Sequence, residues 1–341
     1  MRRTFRRWLF PALFVLFLAW VIANRAELGA LTRTLVMSRW QWVALAVLLQ
    51  AGYYVVYAGL YRLAFARVGV TSRLGDTLPV LLGSLFVNLV APSAGAAGAA
   101  LFVDDAGRRG QSRSQAAAGV MLAMATDLTA IAALSIASLA YLSRRRALAG
   151  SETIGLVALV LAIGALVTAL TLGPRRPQWV RRALGAVQSA AAAMARRFRR
   201  PPPLAADWAE RTTRGFVAAS GALRARPFWP IGLLALALGA HLLSAGSLGA
   251  LFLAFHQPFR PEIVLTGYAL GLLAWIVSPA PQGVGVVEAT IALVLSSLGV
   301  PTAAATLIAV SFRGLTFWLP MAVGLVVARR LRSLRGEAGR R

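Results

Sequence analysis

The sequence contains no cysteine and no lysine, and only 11 of its 341 residues are acidic. The absence of cysteine excludes disulfides, thiolate nucleophiles and thiolate-bound metal centres. Charge of either sign is scarce at 14%, whereas 58% of the residues are hydrophobic and the mean hydropathy is +0.70, well above the usual soluble range. The composition therefore predicts a polytopic membrane protein.

All 36 basic residues are arginines, and the formal net charge is +25. An excess of this size is also found in nucleic-acid-binding proteins. In a membrane protein, however, arginines concentrate in cytoplasmic loops, beside anionic lipid. We therefore expect no nucleic-acid partner, and the arginines serve to orient the chain.

Six apolar segments predict helices that cross a bilayer. They cover residues 8–22, 40–60, 116–142, 154–172, 233–255 and 303–328. Four arginines precede the first segment and predict a cytoplasmic N-terminus. A cleaved signal peptide is the alternative for this segment, but Arg25 crowds the only small-residue cleavage site, so an uncleaved span is favoured.

Two further apolar segments, 78–90 and 263–277, are too short to cross a bilayer and run into stretches rich in proline and small residues. A second short apolar arm follows each of them, which predicts two re-entrant helical hairpins. Asp104 and Asp105 follow the second arm of the first hairpin and are expected in a polar loop. Backbone groups freed at such turns must be buried in protein or line a wet cavity. Close helix packing by small residues and contact of the freed backbone with a substrate are both open interpretations of the turns. The predicted turn residues are Pro92, Gly95 and Gly98 in the first hairpin and Pro279, Pro281, Gly283 and Gly285 in the second.

The distribution of arginines tests this arrangement. If every apolar arm crossed the membrane, the linker of residues 174–230, with its 12 arginines, would lie outside, against the positive-inside rule. Hairpins that enter and leave on one side place 28 arginines inside, 7 outside and one within the membrane. They also orient the two halves oppositely, and discontinuous helices in inverted halves are typical of a transport site near the bilayer midplane.

We therefore predict an all-α integral membrane protein with about six full transmembrane helices and two re-entrant helical hairpins in inverted-repeat-like halves. Residues 1–341 form a single transmembrane domain. The first half covers about 1–173, the basic cytoplasmic linker about 174–230, and the second half about 231–328. A basic tail, 329–341, is also expected in the cytoplasm.

The chain resembles the lysylphosphatidylglycerol synthase transmembrane family, also called flippase-like. The resemblance is carried by Asn88 with Pro92, by Asp127, and by the stretch PQGVGVVE at 281–288 with Arg313 downstream. The resemblance covers nearly the whole chain. It implies a bacterial inner-membrane protein related to the flippase half of the multiple peptide resistance factor, which moves an aminoacylated phospholipid between leaflets. Relatives also occur beside glycosyltransferase domains that act on polyprenyl lipids.

Three positions depart from the family pattern. Many members have a glutamate at the position of Ala97 and an acid–arginine pair at the positions of Ala123 and Met124. The chain also ends without a soluble synthase domain, so we expect no lysine-attaching activity and do not predict an enzyme.

Four residues are candidates for substrate binding, namely Arg313, Glu288, Asp127 and Asn88. Arg313 is the leading one, because a guanidinium keeps its charge and presents a fork of donors matched to phosphate. A structural ion pair with Glu288 or Asp127 is the alternative. Glu288 begins a predicted helix, where capping of the N-terminus is an equal interpretation. Asp127 lies within a span, where an acid has a buried functional or pairing role.

No cofactor or metal site is predicted. The segment GVGVVE at 283–288 lacks the full glycine-rich fingerprint and follows no strand, so it is not a nucleotide loop. His241 and His256 are isolated in the sequence, and we expect packing or interface roles for them.

The leading hypothesis is a lipid flippase or translocase that moves an anionic phospholipid or a polyprenyl-phosphate-linked lipid. The alternative is a non-transporting accessory protein, or scaffold, whose arginine-rich linker docks a lipid-modifying or glycosyltransferase enzyme. An enzyme that acts on lipid-linked substrates ranks third, because no catalytic set is recognisable.

Overall fold

The computed structural model describes residues 38–90, 96–145, 229–278 and 281–330, together with isolated positions between 178 and 213. The predicted spans 8–22 and 154–172, nearly all of the linker and the tail beyond Arg330 lie outside the described residues. The turn residues Pro92, Gly95 and Pro279 also lie outside them. All regular structure within the described ranges is helical, as predicted.

Within the described ranges 38–145 and 229–330, nine α-helices fall into two units of similar order. The first unit contains α1 (Trp40–Arg67), α2 (Leu74–Val90), α3 (Ala96–Arg108) and α4 (Arg113–Arg145). The second unit contains α5 (Trp229–Ala254), α6 (Pro261–Val277), a 3-10 turn (Pro281–Gly283), α7 (Val286–Ser297), α8 (Thr302–Arg313), a π-helical turn (Gly314–Trp318) and α9 (Leu319–Arg330). Each unit is thus a long helix, two short helices and another long helix.

Four of the described helical segments are long and apolar enough to cross a membrane. They are Trp40–Arg67, Arg113–Leu142, Ile231–Ala254 and Thr302–Gly324. The same four regions were predicted as spans, although α1 continues seven residues beyond residue 60 and the last span is interrupted by the π-helical turn. Because the other two predicted spans lie outside the described residues, the full count of six stays a prediction.

The short helices α2 and α3 form the first hairpin. At its closed end the Gly98 amide donates a hydrogen bond of 2.7 Å to Oδ1 of Asn88. At its open end Arg109, just after α3, contacts Asp76 at the start of α2 at 3.2 Å. The two arms are therefore antiparallel. Asp104 and Asp105 lie within α3 rather than in the polar loop predicted for them, because the helix continues to Arg108.

The short helices α6 and α7 form the second hairpin, and glycines on α6 allow its arms to pack closely. A Cβ atom on Gly267 would lie 2.8 Å from the Leu295 side chain, and one on Gly271 would lie 2.7 Å from Ile291. These pairs run in opposite directions along the two helices, so the arms are again antiparallel. Small residues on one helix are a common means of close helix approach in membrane proteins.

The first helices of the two units, α1 and α5, pack against each other in antiparallel directions. Arg39 donates its amide hydrogen to the Ala254 carbonyl at one end of the pair, and Gly232 faces Leu63 at the other. Each hairpin follows the C-terminal end of its own first helix after a short connection. The open ends of the two hairpins therefore lie at opposite ends of the helix bundle.

Each hairpin also packs on the last long helix of the opposite unit. Ser138 on α4 donates a hydrogen bond of 3.3 Å to the Leu265 carbonyl on α6. Reciprocally, α9 packs on α2, where the backbone of Gly324 approaches the Leu82 carbonyl so closely that a Cβ atom would clash. This reciprocal packing holds the two units together, while their opposite orientation in the membrane stays a prediction.

Candidate functional site

The closed end of the second hairpin has an unusual backbone. Gln282 adopts a φ of 55°, and Gly283 and Gly285 have φ values of 68° and 83°. Gly283 is required for a second reason, since a Cβ atom there would lie 2.6 Å from Val287 and 3.3 Å from the backbone of Trp275. A non-glycine residue with positive φ is uncommon and often marks a functional position. Here the turn directs the Gln282 carbonyl towards Arg313.

Arg313 lies at the end of α8 and is buried against this turn, with only 7% of its surface exposed. Its Nε donates a hydrogen bond of 3.0 Å to Oε1 of Glu288, and one Nη donates at 3.0 Å to the Gln282 carbonyl. Its guanidinium carbon lies 4.6 Å from the centre of the Phe317 ring, a cation–π distance. The other Nη makes no hydrogen bond with a described residue.

Glu288 has two partners, one for each carboxylate oxygen. Oε1 accepts the bond from Arg313, and Oε2 accepts a bond of 2.8 Å from the Gly285 amide at the N-terminus of α7. The second bond is half of a capping box, which satisfies an otherwise unpaired helix amide. Glu288 therefore caps α7 and pairs with Arg313 at the same time; the sequence offered each of these roles as an alternative to substrate binding. Glu288 would keep its cap if Arg313 turned to another anion.

The helix that carries Arg313 changes its hydrogen-bonding pattern immediately afterwards. Residues Gly314–Trp318 form a π-helical turn, a feature that often occurs at functional sites. Tyr54 on α1 donates a hydrogen bond of 2.9 Å to the Thr316 carbonyl in this turn. A residue of the first unit therefore supports the widened helix of the second, just after Arg313.

The closed end of the first hairpin is uncharged where it is described. The bond from Gly98 to Asn88 satisfies an amide in the first turn of α3, and a Cβ atom on Gly98 would lie 2.5 Å from the Asn88 side chain. Asn88 thus joins the two arms, while α2 itself packs against the 3-10 turn of the second hairpin. The first hairpin therefore contacts the turn that holds Arg313.

Asp127 was one of the two acids considered as partners of Arg313, but it does not pair with that arginine. Its Oδ1 lies 3.0 Å from Nε2 of His241, and its Oδ2 accepts a hydrogen bond of 3.0 Å from the Tyr57 hydroxyl. Nδ1 of His241 lies 2.7 Å from the Tyr268 hydroxyl. His241 is therefore not an isolated packing residue: it contacts Asp127 and Tyr268 directly, and Tyr57 extends this buried network through Asp127.

The sequence interpretation missed several residues of both clusters. Gln282 contributes a backbone carbonyl, and no residue type predicts that role. Tyr57 and Tyr268 were not singled out as site residues, because aromatic residues are frequent in apolar helices and packing is their common role there. The one available signal was the presence of a single histidine and a single acid within otherwise apolar spans, since polar groups at that depth require partners.

The described residues contain no group of three or more histidines and acids that could hold a metal ion. The two clusters instead contain a buried arginine–glutamate pair and a buried aspartate–histidine pair, the former against the second hairpin. The model of the family described as "Lysylphosphatidylglycerol synthase TM region" matches residues 8–324. The chain belongs to this family. No curated protein matches the chain by sequence.

Membership in the lysylphosphatidylglycerol synthase TM region family confirms the resemblance seen in the sequence and accounts for the apolar helices. The chain is a multi-pass membrane protein whose family is the membrane region of lysylphosphatidylglycerol synthase-type proteins. A membrane lipid-related role is consistent with that family. The match covers the membrane region alone and includes no catalytic domain.

Proposed function

We propose that this protein moves a phosphate-bearing lipid between the leaflets of the bacterial inner membrane, with both termini in the cytoplasm. The observation that carries the proposal is the buried guanidinium of Arg313 at the closed end of a hairpin in a lipid-related membrane family. A charge at this depth is costly unless it has a partner or a function. Arginine presents donors in a geometry that matches two oxygens of a phosphate.

The contacts of Arg313 suggest how a phosphate would be received. One Nη has no hydrogen-bond partner among the described residues, while Nε and the other Nη are held by Glu288 and the Gln282 carbonyl. A lipid phosphate that takes the place of the Glu288 carboxylate leaves that carboxylate with its cap at Gly285. The exchange replaces one anion by another, so the buried arginine never lacks a counter-charge.

The arrangement of the hairpins supports alternating access. Their open ends lie at opposite ends of the bundle, and the first hairpin packs against the turn that holds Arg313. A site near the centre of inverted units can be reached from either side when one unit rocks against the other. The acyl chains would remain in the bilayer while the head group passes Arg313.

Reconstitution into liposomes tests this proposal. Separate vesicles would contain a fluorescent anionic phospholipid or a fluorescent polyprenyl phosphate, and quenching from outside would report its transfer. We expect Arg313→Ala to slow transfer by about 10- to 100-fold, because hydrogen bonds to a charged group contribute about 1.5 to 3 kcal/mol. Arg313→Lys should retain part of the rate, since it keeps the charge but loses the fork.

Arg260, which precedes α6 and is exposed, provides the matched control as Arg260→Ala. Transfer at the rate of protein-free vesicles for both lipids would contradict the proposal and favour the non-transporting scaffold. A wild-type rate in Arg313→Ala would remove Arg313 from the mechanism. Mass spectrometry of lipid that co-purifies with wild type but not with Arg313→Ala would identify the lipid class.

A further inference from the structure

A second buried polar cluster, separate from Arg313, crosses the boundary between the two units. Asp127 on α4 and Tyr57 on α1 belong to the first unit, whereas His241 on α5 and Tyr268 on α6 belong to the second. Asp127 and His241 both lie near the middle of long apolar helices. We call these four residues the Asp–His cluster.

The Asp–His cluster is shielded from solvent. The side chain of His241 is 2% exposed, and that of Asp127 is 12% exposed. A single unpaired charge in such surroundings is strongly disfavoured, whereas a pair of opposite charges, or two neutral groups, is tolerated. One proton on the Asp–His pair makes its net charge zero, and removal of that proton leaves one negative charge. The free energy of the folded protein therefore depends on whether the Asp127–His241 pair carries this proton.

The hydrogen bonds can accommodate that proton without a break in the network. When His241 is neutral, Nε2 donates to Asp127 and Nδ1 accepts from the Tyr268 hydroxyl. When His241 is protonated, Nδ1 donates to the same hydroxyl, which turns to act as acceptor, because a tyrosine hydroxyl can take either role. The distances of 2.7 Å and 3.0 Å suit both states. Histidine is also the side chain that most readily gains or loses a proton between about pH 5 and pH 8.

Other titratable groups around the pair come from each of the helices that pack on it. Tyr53, Tyr57 and Tyr61 face Asp127 from α1, and Tyr268 faces it from α6. Phenols stay neutral in this pH range. No second acid or arginine among the described residues forms an ion pair with Asp127 or His241. The pair itself is therefore where a proton changes the charge of the cluster.

Two aromatic contacts connect the Asp–His cluster to Arg313. The Tyr268 ring packs edge-on against Phe312, the residue before Arg313, with ring centres 6.0 Å apart. Tyr53 lies 6.3 Å from the His241 ring, and its neighbour Tyr54 holds the π-helical turn that follows Arg313. A shift between the units that alters one cluster must therefore alter the packing around the other.

We propose that Asp127 and His241 form a proton-binding site whose occupancy sets the relative position of the two units, so that lipid movement is coupled to proton movement. The coupling rests on the function proposed above, whereas the proton site itself does not. In the binding step a proton leaves water and forms an N–H bond at Nδ1 of His241, and in the release step that bond breaks towards water on the other side. One proton moves in each cycle.

The proton site is tested first without any transport measurement. The chain has only two histidines, so His256→Gln leaves His241 as the sole histidine of the full-length protein. NMR of this variant, labelled with ¹⁵N-histidine and placed in lipid nanodiscs, reports the protonation and tautomer of one ring. We expect the ring to gain and lose one proton as the pH is varied. In Asp127→Asn the response of the ring to pH should differ from that of wild type, because the carboxylate that contacts Nε2 is gone.

Glu262→Gln, in the first turn of α6, is the matched control for removal of an acid and should leave the response of the His241 ring to pH unchanged. A His241 ring that keeps one protonation state across the whole range would overturn the proton site and make the cluster purely structural. If Asp127→Asn does not fold, Tyr57→Phe keeps the carboxylate but removes one of its bonds. This variant should change the response of the ring to pH by a smaller amount.

Coupling is tested with the same reconstituted vesicles that test the proposed function. The measured quantity is the ratio of lipid transfer with an imposed pH gradient to transfer without one. We expect this ratio to exceed about twofold in wild type and to fall to one in His241→Gln, whatever the absolute rates. A wild-type ratio of one, with transfer still dependent on Arg313, would overturn coupling and leave the proposed function intact. Wild-type vesicles without lipid transfer would contradict the proposed function, while the NMR titration would still decide the proton site.

Discussion

Asp127 and Arg313 lie on the last long helix of their respective units, but they are held in different ways. Arg313 contacts the turn of its own hairpin and pairs with Glu288 inside the second unit. Asp127 contacts no hairpin turn among the described residues and reaches His241 in the opposite unit. The comparison suggests that one buried charge organises a site within a unit, whereas the other reports how the units meet.

The backbone is irregular around Arg313 and regular around Asp127. Arg313 is followed by a π-helical turn, and its partner Gln282 has a positive φ, so the second unit is locally irregular where the arginine is bound. Asp127 lies in the uninterrupted helix α4. Irregular backbone at membrane depth is tolerated where it is buried in protein or lines a cavity. This contrast favours the second hairpin as the place where a head group binds.

The largest effect on stability is expected when the pair within the second unit is broken. Arg313→Met leaves Glu288 without its counter-charge and should lower the free energy of unfolding by about 3 kcal/mol or more. Unfolding in mixed micelles with increasing SDS would measure the loss. The double variant Arg313→Met/Glu288→Met should recover much of the lost stability, because a buried ion pair can be replaced by apolar residues of similar volume. The double variant should nevertheless transfer no lipid, which separates the structural from the functional role of the pair.

If Arg313→Met were as stable as wild type, the Arg313–Glu288 pair would contribute little to stability. The contrast between Arg313 and Asp127 would then be wrong. An equal loss in the single and double variants would instead attribute the effect to the missing contact with the Gln282 carbonyl and Phe317.

A smaller effect is expected in the cluster that crosses the units. Tyr57→Phe removes the hydrogen bond to Oδ2 of Asp127 and should cost about 2 kcal/mol, since the acceptor is a buried charged group. Tyr53→Phe is the matched control, because the Tyr53 hydroxyl makes no hydrogen bond with a described residue and its ring stacks on Tyr57. Comparable losses in both variants, measured by the same SDS unfolding, would show that ring packing rather than the bond to Asp127 matters.

The smallest effect concerns the link between α1 and the π-helical turn. Tyr54→Phe loses the bond to the Thr316 carbonyl and should cost about 1 kcal/mol, the usual contribution of a neutral hydrogen bond. The same loss should loosen the backbone after Arg313, which hydrogen exchange of residues 314–318 would detect as faster exchange. Unchanged exchange there would show that the second unit maintains its π-helical turn without the first.

Much of the fold could be predicted from local features of the sequence. The long apolar runs marked α1, α4, α5 and the last span, because the thickness of a bilayer determines the length of a spanning helix. Clusters of proline and glycine near residues 92 and 281 marked the hairpin turns, because such clusters favour a break in a helix. The extent of α3 was wrong, since Asp104 and Asp105 can end a helix or, as here, pair with arginines one turn later along it.

The candidate site was predictable only in part. Arg313 and Glu288 were recognised as a possible pair because a buried charge requires a counter-charge and few were available. The Gln282 carbonyl was not predictable, because any residue has a carbonyl and only the positive φ directs this one towards Arg313. His241 was interpreted as isolated because its partner Asp127 is 114 residues away in the chain.

By itself, the sequence determined that this protein is helical, lies in a membrane and contains two broken short segments and a few charges within apolar stretches. Those properties follow from the length, hydropathy and charge of contiguous stretches. Only the tertiary structure decided that Glu288 belongs to Arg313 and His241 to Asp127. Which side chains become partners depends on how each helix is rotated about its axis and on which helix faces meet. The antiparallel packing of α1 and α5, which lie far apart in the chain, establishes those faces.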